Sequence, residues 1–186
     1  MLLDRSRSQL MIIDVQSKLA PHIAAGFEVI QACTRLANYA RRLEVPITIT
    51  EHYPKGLGPT VTTVAEAAGN GAVCLNKIAF SCWRDDGIRA RLQSLAAQGR
   101  NQVVIAGTET HVCVGQTSLS LLDKSTGIEV YLVADAVGSR RPADREAAIF
   151  RLREAGARIV TQEMVAFEWL ERGGTAEFQD LIGMIK

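Results

Sequence analysis

No apolar run in this 186-residue chain approaches the roughly 20 residues needed to cross a bilayer, so a membrane span is not expected. Charge of one sign is also missing. Twenty-one Lys and Arg against 20 Asp and Glu leave a net charge of +1, and the basic residues lie scattered among acidic ones. Nucleic acid and acidic membrane surfaces are therefore not expected partners, and a small molecule is. The four cysteines (Cys33, Cys74, Cys82, Cys113) include no C-x-x-C pair, which argues against a zinc site or a thioredoxin-type redox centre. Gly107 stands alone after its apolar run, without the G-x-G-x-x-G of a dinucleotide fold. Repeats, linkers and low-complexity tracts are absent, so one domain over residues 1–186 is expected. The opening Met1-Leu2-Leu3-Asp4-Arg5 has no leader pattern, and a cytoplasmic location is the expectation.

What is present is an alternation of short apolar runs with longer amphipathic stretches. Strands are predicted near 9–15, 46–50, 72–76, 102–106, 129–134 and 158–160, and helices near 27–43, 88–98, 113–124 and 142–155. Val29, Ile30, Cys33, Leu36, Ala37 and Ala40 share one face of the first helix, and Pro142 suits the first turn of the last. The rhythm predicts an α/β fold: a three-layer α/β/α sandwich around a mainly parallel, Rossmann-like six-stranded sheet. Two prolines and two glycines in His52–Thr60 are read as forbidding helix and central strand, which makes this span a loop at a strand exit, on the rim where it is expected to wall or cover a pocket. The tail carries Phe167, Trp169, Leu170, Phe178, Leu181 and Ile182, enough apolar surface to dock on the body or on another subunit.

Three apolar runs end in a residue with chemistry. Met11-Ile12-Ile13 runs into Asp14, Val73-Cys74-Leu75-Asn76 into Lys77, and Val103-Val104-Ile105-Ala106-Gly107-Thr108-Glu109-Thr110-His111-Val112 delivers Cys113 to the start of a helix. In an open parallel sheet the carboxyl ends of the strands face one crevice, so acid, amine and thiol can converge. Amide N–H groups and the helix dipole at such a junction favour thiolate and suit an oxyanion.

Each residue also has a plainer role. Cys113 reads equally as a small buried residue, Asp14 as a turn cap and Lys77 as a solvated strand-end lysine. Cys33 and Cys74 read as buried hydrophobes, and Asp135 as an acid at a strand end that positions neighbouring loops. His111 is read as making a structural hydrogen bond, and His22 has no partner in the sequence. His52 and Tyr53 line the pocket or decorate the surface. Glu109, Phe80 and Trp83 are pocket candidates by position, with core packing the rival reading for Trp83.

Met11-Ile12-Ile13-Asp14-Val15-Gln16, Asn76-Lys77-Ile78-Ala79-Phe80-Ser81 and Gly107-Thr108-Glu109-Thr110-His111-Val112-Cys113-Val114 together resemble the isochorismatase-like cysteine hydrolases. Thr50–Thr60 is most similar to the small single-domain members, many of which lack an assigned substrate. The resemblance implies a catalytic triad of Asp14, Lys77 and Cys113 and an oxyanion hole from the amide N–H groups of Glu109 and Cys113. It also implies a non-proline cis peptide between Thr108 and Glu109. Metal-binding nicotinamidases carry Asp and closely spaced histidines where this chain has Glu51-His52-Tyr53-Pro54, so neither metal nor cofactor is expected. Isochorismatases proper lack the cysteine, so Cys113 favours acyl transfer.

The function so read is cysteine-dependent hydrolysis of a small amide, carbamoyl or related acyl compound through a thioester. Vinyl-ether hydrolysis of an isochorismate-like substrate is one alternative. A catalytically idle, oligomeric binding or scaffold protein is the other. The resemblance also implies a homo-oligomer, a dimer or larger.

Overall fold

The computed structural model, which describes residues 1–185, resolves the apolar runs into β1 (Ser8–Ile13), β2 (Ile47–His52), β3 (Val73–Lys77), β4 (Gln102–Thr108), β5 (Glu129–Gly138) and β6 (Arg158–Val160). All pair in parallel, in the spatial order β3-β2-β1-β4-β5-β6. Period-two alternation explains why both faces are covered. On one face Leu10, Ile12, Val104, Ala106, Tyr131 and Val133 pack under α1 (Gly26–Arg42), α3 (Thr62–Ala68), α7 (Gln162–Leu170) and α8 (Ala176–Ile185). On the other, Met11, Ile13, Val103, Ile105, Val130 and Leu132 pack under α4 (Asp86–Ala97), α5 (Gly115–Leu121) and α6 (Pro142–Glu154). This is the three-layer sandwich that the rhythm predicts.

The helices start where their caps dictate. Asp85 accepts hydrogen bonds from the Gly87 and Ile88 N–H groups at 3.1 Å each, and so α4 begins ahead of the predicted position. Pro142 opens α6 and Thr161 caps α7. The apolar tail docks on the body: Trp169 is fully buried and its indole N–H donates to Ser8 Oγ at 2.9 Å. Leu170 and Leu181 join the same core.

Several local expectations are corrected. β1 stops at Ile13 because Asp14 adopts a left-handed backbone, with φ at 51°. β2 continues through His52, and Pro54–Leu57 forms a single helical turn, α2, because proline at a first-turn position starts a helix rather than breaking one. β5 runs on to Gly138 through a bulge in which Leu132 faces Ile105 and Val137 faces Gly107. The side chain of Arg145 caps the bulge at the carbonyls of Ala134 and Val137. Asp135 therefore lies inside a strand rather than at its end, and its carboxylate accepts the Gln162 N–H at 2.8 Å. Cys74 is exposed, since β3 is an edge strand with no partner beyond it among the described residues.

The chain leaves β1 toward β2 on one side, and β4 lies on the other. The crevice at the carboxyl ends of β1 and β4 is thus the topological switch point, where such sheets bind ligands. Gly107 makes the approach there possible. Its φ is 115°, and a Cβ on it would lie 2.1 Å from the Ile13 carbonyl oxygen.

Candidate active site

Strand register brings the three motifs together. Ile13 pairs with both Thr50 and Gly107, and Lys77 pairs with His52. Asp14 follows at once, tethered by its N–H to the Thr50 carbonyl at 3.0 Å and by its own carbonyl to Thr108 Oγ1 at 2.8 Å. Its carboxylate accepts Lys77 Nζ at 2.6 Å on one oxygen and Thr50 Oγ1 at 2.7 Å on the other. Asp14 is 0%, Lys77 2% and Cys113 6% exposed, so all three have left bulk water.

After β4 the Thr108–Glu109 peptide is cis. Residues Thr110–Val114 then form a π-helical turn, with the Val114 N–H donating to the Glu109 carbonyl at 3.2 Å. Cys113 sits within that turn, and the regular helix begins only at Gly115. This corrects the picture of a thiol at the first residue of a helix. The electrostatics are corrected with it. Burial, and then the Asp14 carboxylate, push the Cys113 thiol well above its ordinary range, while the Lys77 ammonium pulls the other way and loses. Together, burial and the Asp14–Lys77 pair that the thiol faces disfavour the thiolate, where the helix-dipole argument favoured it. Burial works against the charge on Lys77, but Asp14 and the neighbouring Cys82 and Cys113 outweigh it and raise the lysine's pKa.

A cavity of about 560 Å³ opens from Cys113, within the size range of small-ligand pockets. Asp14, His52, Phe80 and Glu109 line it with Cys113, as the positional reading suggested for the last three side chains. Tyr53 and Trp83 do not line it. Tyr53 is half-exposed and its ring lies over Gly56, while Trp83 packs at the margin of the core beneath α4 and α5. His52 stands 5.3 Å from Phe80, ring centre to ring centre, and is shifted toward its neutral form by burial and by Lys77.

Gly56 and Leu57 line it from the Pro- and Gly-rich segment expected at this rim, whereas Lys18, Leu19, His22, Val112 and Arg140, which complete the wall, were missed. Lys18 and His22 occupy an irregular segment with no periodicity to read. One signal pointed to them all the same: like Arg140, they follow the carboxyl end of a central strand, as the triad candidates do.

The surrounding polar residues are fastened to the backbone. Glu109 accepts both the Arg140 backbone N–H at 3.1 Å and its Nε at 2.9 Å. Gln16 knits the β1 exit to the neighbouring loop through the His52 N–H at 2.8 Å and the Gly58 carbonyl at 2.6 Å. Glu51 is engaged by Thr60, whose N–H and Oγ1 it accepts at 2.7 and 2.8 Å. Among the described residues no group of three or more His, Cys, Asp or Glu side chains is placed to hold a metal ion. His111 makes the structural contact expected of it, with Nδ1 3.0 Å from Ser139 Oγ, and it faces α6 rather than the thiol. Cys82 is buried behind the ion pair, its thiol raised to about 11 chiefly by burial.

Similarity to known proteins agrees with this geometry. The chain is 34% identical to the isochorismatase domain-containing protein 2A of Mus musculus over 180 residues, 96% of this chain and 82% of that one. A structure described as MAR1 ribonuclease from Caenorhabditis elegans superposes with a TM-score of 0.91 at 32% identity, covering 100% of this chain and 92% of the other. The YcaC gene product of Escherichia coli, described as an octameric hydrolase of unknown specificity, has a TM-score of 0.88 at 24% identity. That likeness covers 99% and 90% of the two chains and speaks for the fold alone. The family model for the isochorismatase domain matches residues 8–164, and the chain belongs to that family of hydrolases.

Proposed function

We propose that the protein hydrolyses a small amide, carbamoyl or related acyl compound through a thioester on Cys113. The observation that carries this reading is the buried Asp14–Lys77 pair, 2.6 Å across, against which the thiol is set. Ionising Cys113 into solvent would leave a net negative site. Passing its proton to Asp14 instead keeps the cluster of carboxyl, ammonium and sulfur at constant charge. The sulfur then bonds to the substrate carbonyl carbon, whose electron pair moves to oxygen beside the Glu109 and Cys113 amides. Such a donor is typically worth about 2.7–4 kcal/mol. Asp14 returns the proton to the departing amine as the C–N bond breaks. Water, giving its proton to Asp14, adds to the thioester, and the thiol leaves with that proton.

The thiols support a reducing, cytoplasmic setting: all four cysteines are free, and Cys33, Cys82 and Cys113 are buried. No helix among the described residues is long and apolar enough to cross a membrane. A homo-oligomer fits the exposed Ile78 and Phe80, the second of which lines the cavity, and the Escherichia coli protein is described as an octamer. The test is a panel of nicotinamide, carbamoyl amines and short amides, with RNA and a vinyl-ether substrate beside them. Hydrolysis of an amide or carbamoyl compound that Cys113→Ala abolishes supports the proposal. Turnover of the vinyl ether or RNA by that variant, or no turnover of any substrate, overturns it.

A further inference from the structure

Counting charge around the cavity gives its substrate a second feature. Of the ionised side chains at the cavity, Asp14 is matched by Lys77 at 2.6 Å and Glu109 by Arg140 at 2.9 Å. Lys18 also lines the wall, yet among the described residues it has no carboxylate within ion-pair distance. Arg140 spends its backbone N–H and Nε on Glu109, and its two terminal nitrogens meet no protein acceptor among the described residues. Asp144 lies outside this wall, in a neighbouring recess that it lines with Arg140 and Arg141, where its charge also acts on Arg140, and a carboxylate oxygen stands 3.9 Å from His111 Nε2. Leu19, Leu57, Phe80 and Val112 give the same wall its apolar surface. The cavity therefore offers a nucleophile, an apolar wall and one unbalanced positive charge.

We propose, resting on the hydrolase reading above, that the substrate is a monoanion: an acyl compound whose far end carries a carboxylate, held by Lys18 with the free guanidinium nitrogens of Arg140. A guanidinium presents paired donors to a carboxylate, and an unpaired ammonium in the same cavity wall sets the sign of the charge admitted. A neutral compound of the same shape gains the apolar contacts and leaves Lys18 without a counter-charge.

Two alkylating reagents of nearly equal size, iodoacetate and iodoacetamide, test the charge without knowledge of the substrate. With each, the Cys113 sulfur bonds to carbon, iodide leaves and the thiol proton is released to buffer. The ratio of the iodoacetate to the iodoacetamide rate at Cys113, located by peptide mass, is compared with the same ratio for glutathione. The ratio is expected to exceed the glutathione value by roughly 1.5- to fivefold, the size of an exposed charge contact, and to fall toward it in Lys18→Met. A ratio at or below that of glutathione, or one that Lys18→Met leaves unchanged, overturns the anion inference while leaving the nucleophile intact. If neither reagent modifies Cys113, the hydrolase reading falls and melting temperature decides the charge question. Glutaramate then raises the melting temperature more than pentanamide does, and Lys18→Met removes the difference; equal shifts overturn the inference.

Discussion

Replacing Asp14 by Asn separates two roles of one carboxylate. Asn preserves the shape and removes the anion, so the thiol of Cys113 is left facing Lys77 alone. In the native site burial comes first, and Asp14 second, in raising that thiol; Lys77 opposes both. A nearby charge of this kind is worth about 1–3 pKa units, or about 1.4–4 kcal/mol. The buried ammonium also regains a counter-anion only when the thiol ionises, which drives the same way. The pKa of Cys113 should therefore drop by about 1–3 in the variant. Hydrolysis, deprived of its base, should fall by about 10²–10⁴. The variant is expected to be alkylated more readily and to hydrolyse less. Leaving Lys77 buried without its partner costs about 3–5 kcal/mol, so folding is checked by circular dichroism before the rates are read. The assay is the rate of iodoacetamide addition to Cys113 from pH 6 to 11, followed by intact mass, beside hydrolysis of a substrate from the panel. A labelling rate in the variant that is equal to or below the native rate throughout this pH range would refute the reasoning, since the carboxylate would then have no influence on the sulfur.

Thr50→Val removes the hydroxyl that Asp14 accepts at 2.7 Å and leaves a buried carboxylate oxygen short of a donor. A loss of about 1.5–3 kcal/mol in a urea titration is expected, with a lower kcat, and an unchanged urea midpoint contradicts it. Gly107→Ala sets a methyl group against the Ile13 carbonyl in a backbone conformation alanine resists. Melting should shift down by well over the ordinary effect of about 1 kcal/mol for a point substitution, and a native-like melt contradicts the close strand approach. Alkaline pH should destabilise the protein. Burial first, and then Asp135, push Cys33 from 9.0 to about 12, so the unfolded chain loses this proton from about pH 9 while the folded chain keeps it. Buried Cys82, raised to about 11, adds to the slope, and the raised pKa of Lys77 means that its contribution too is lost as pH rises through its folded value. Urea midpoints at pH 8, 9 and 10 should fall by up to about 1.4 kcal/mol per pH unit for each buried thiol, less so in Cys33→Ala; a flat profile contradicts this.

Periodicity carried the layers of this fold because both faces of the central strands are apolar and each strand is separated from the next by a helical stretch. It failed where a single backbone angle or carbonyl decides. The left-handed Asp14 ends β1 early, the bulge in β5 is held by Arg145 from another element, and Pro54 starts a turn of helix that composition alone rules out. Strand-end reasoning brought Asp14, Lys77 and Cys113 to one crevice because parallel register converts distant sequence into one rim. It misjudged the state of the thiol because a dipole argument sees only the local junction. The dominant influences, burial and a carboxylate nearly a hundred residues away in sequence, arrive through packing. Lys18, His22 and Arg140 obeyed the same strand-end rule but are set apart from the apolar run by intervening residues, so no motif draws attention to them.

The central claim is that acyl transfer passes through sulfur. It is tested most directly by mixing the protein with an activated acyl donor, quenching in acid within milliseconds to seconds and weighing the intact chain. The account predicts a mass increase equal to the acyl group, located on Cys113, released by hydroxylamine, and forming and decaying at rates compatible with turnover. Steady hydrolysis with no such adduct at any time, and with Cys113→Ala as fast as the native chain, would contradict it.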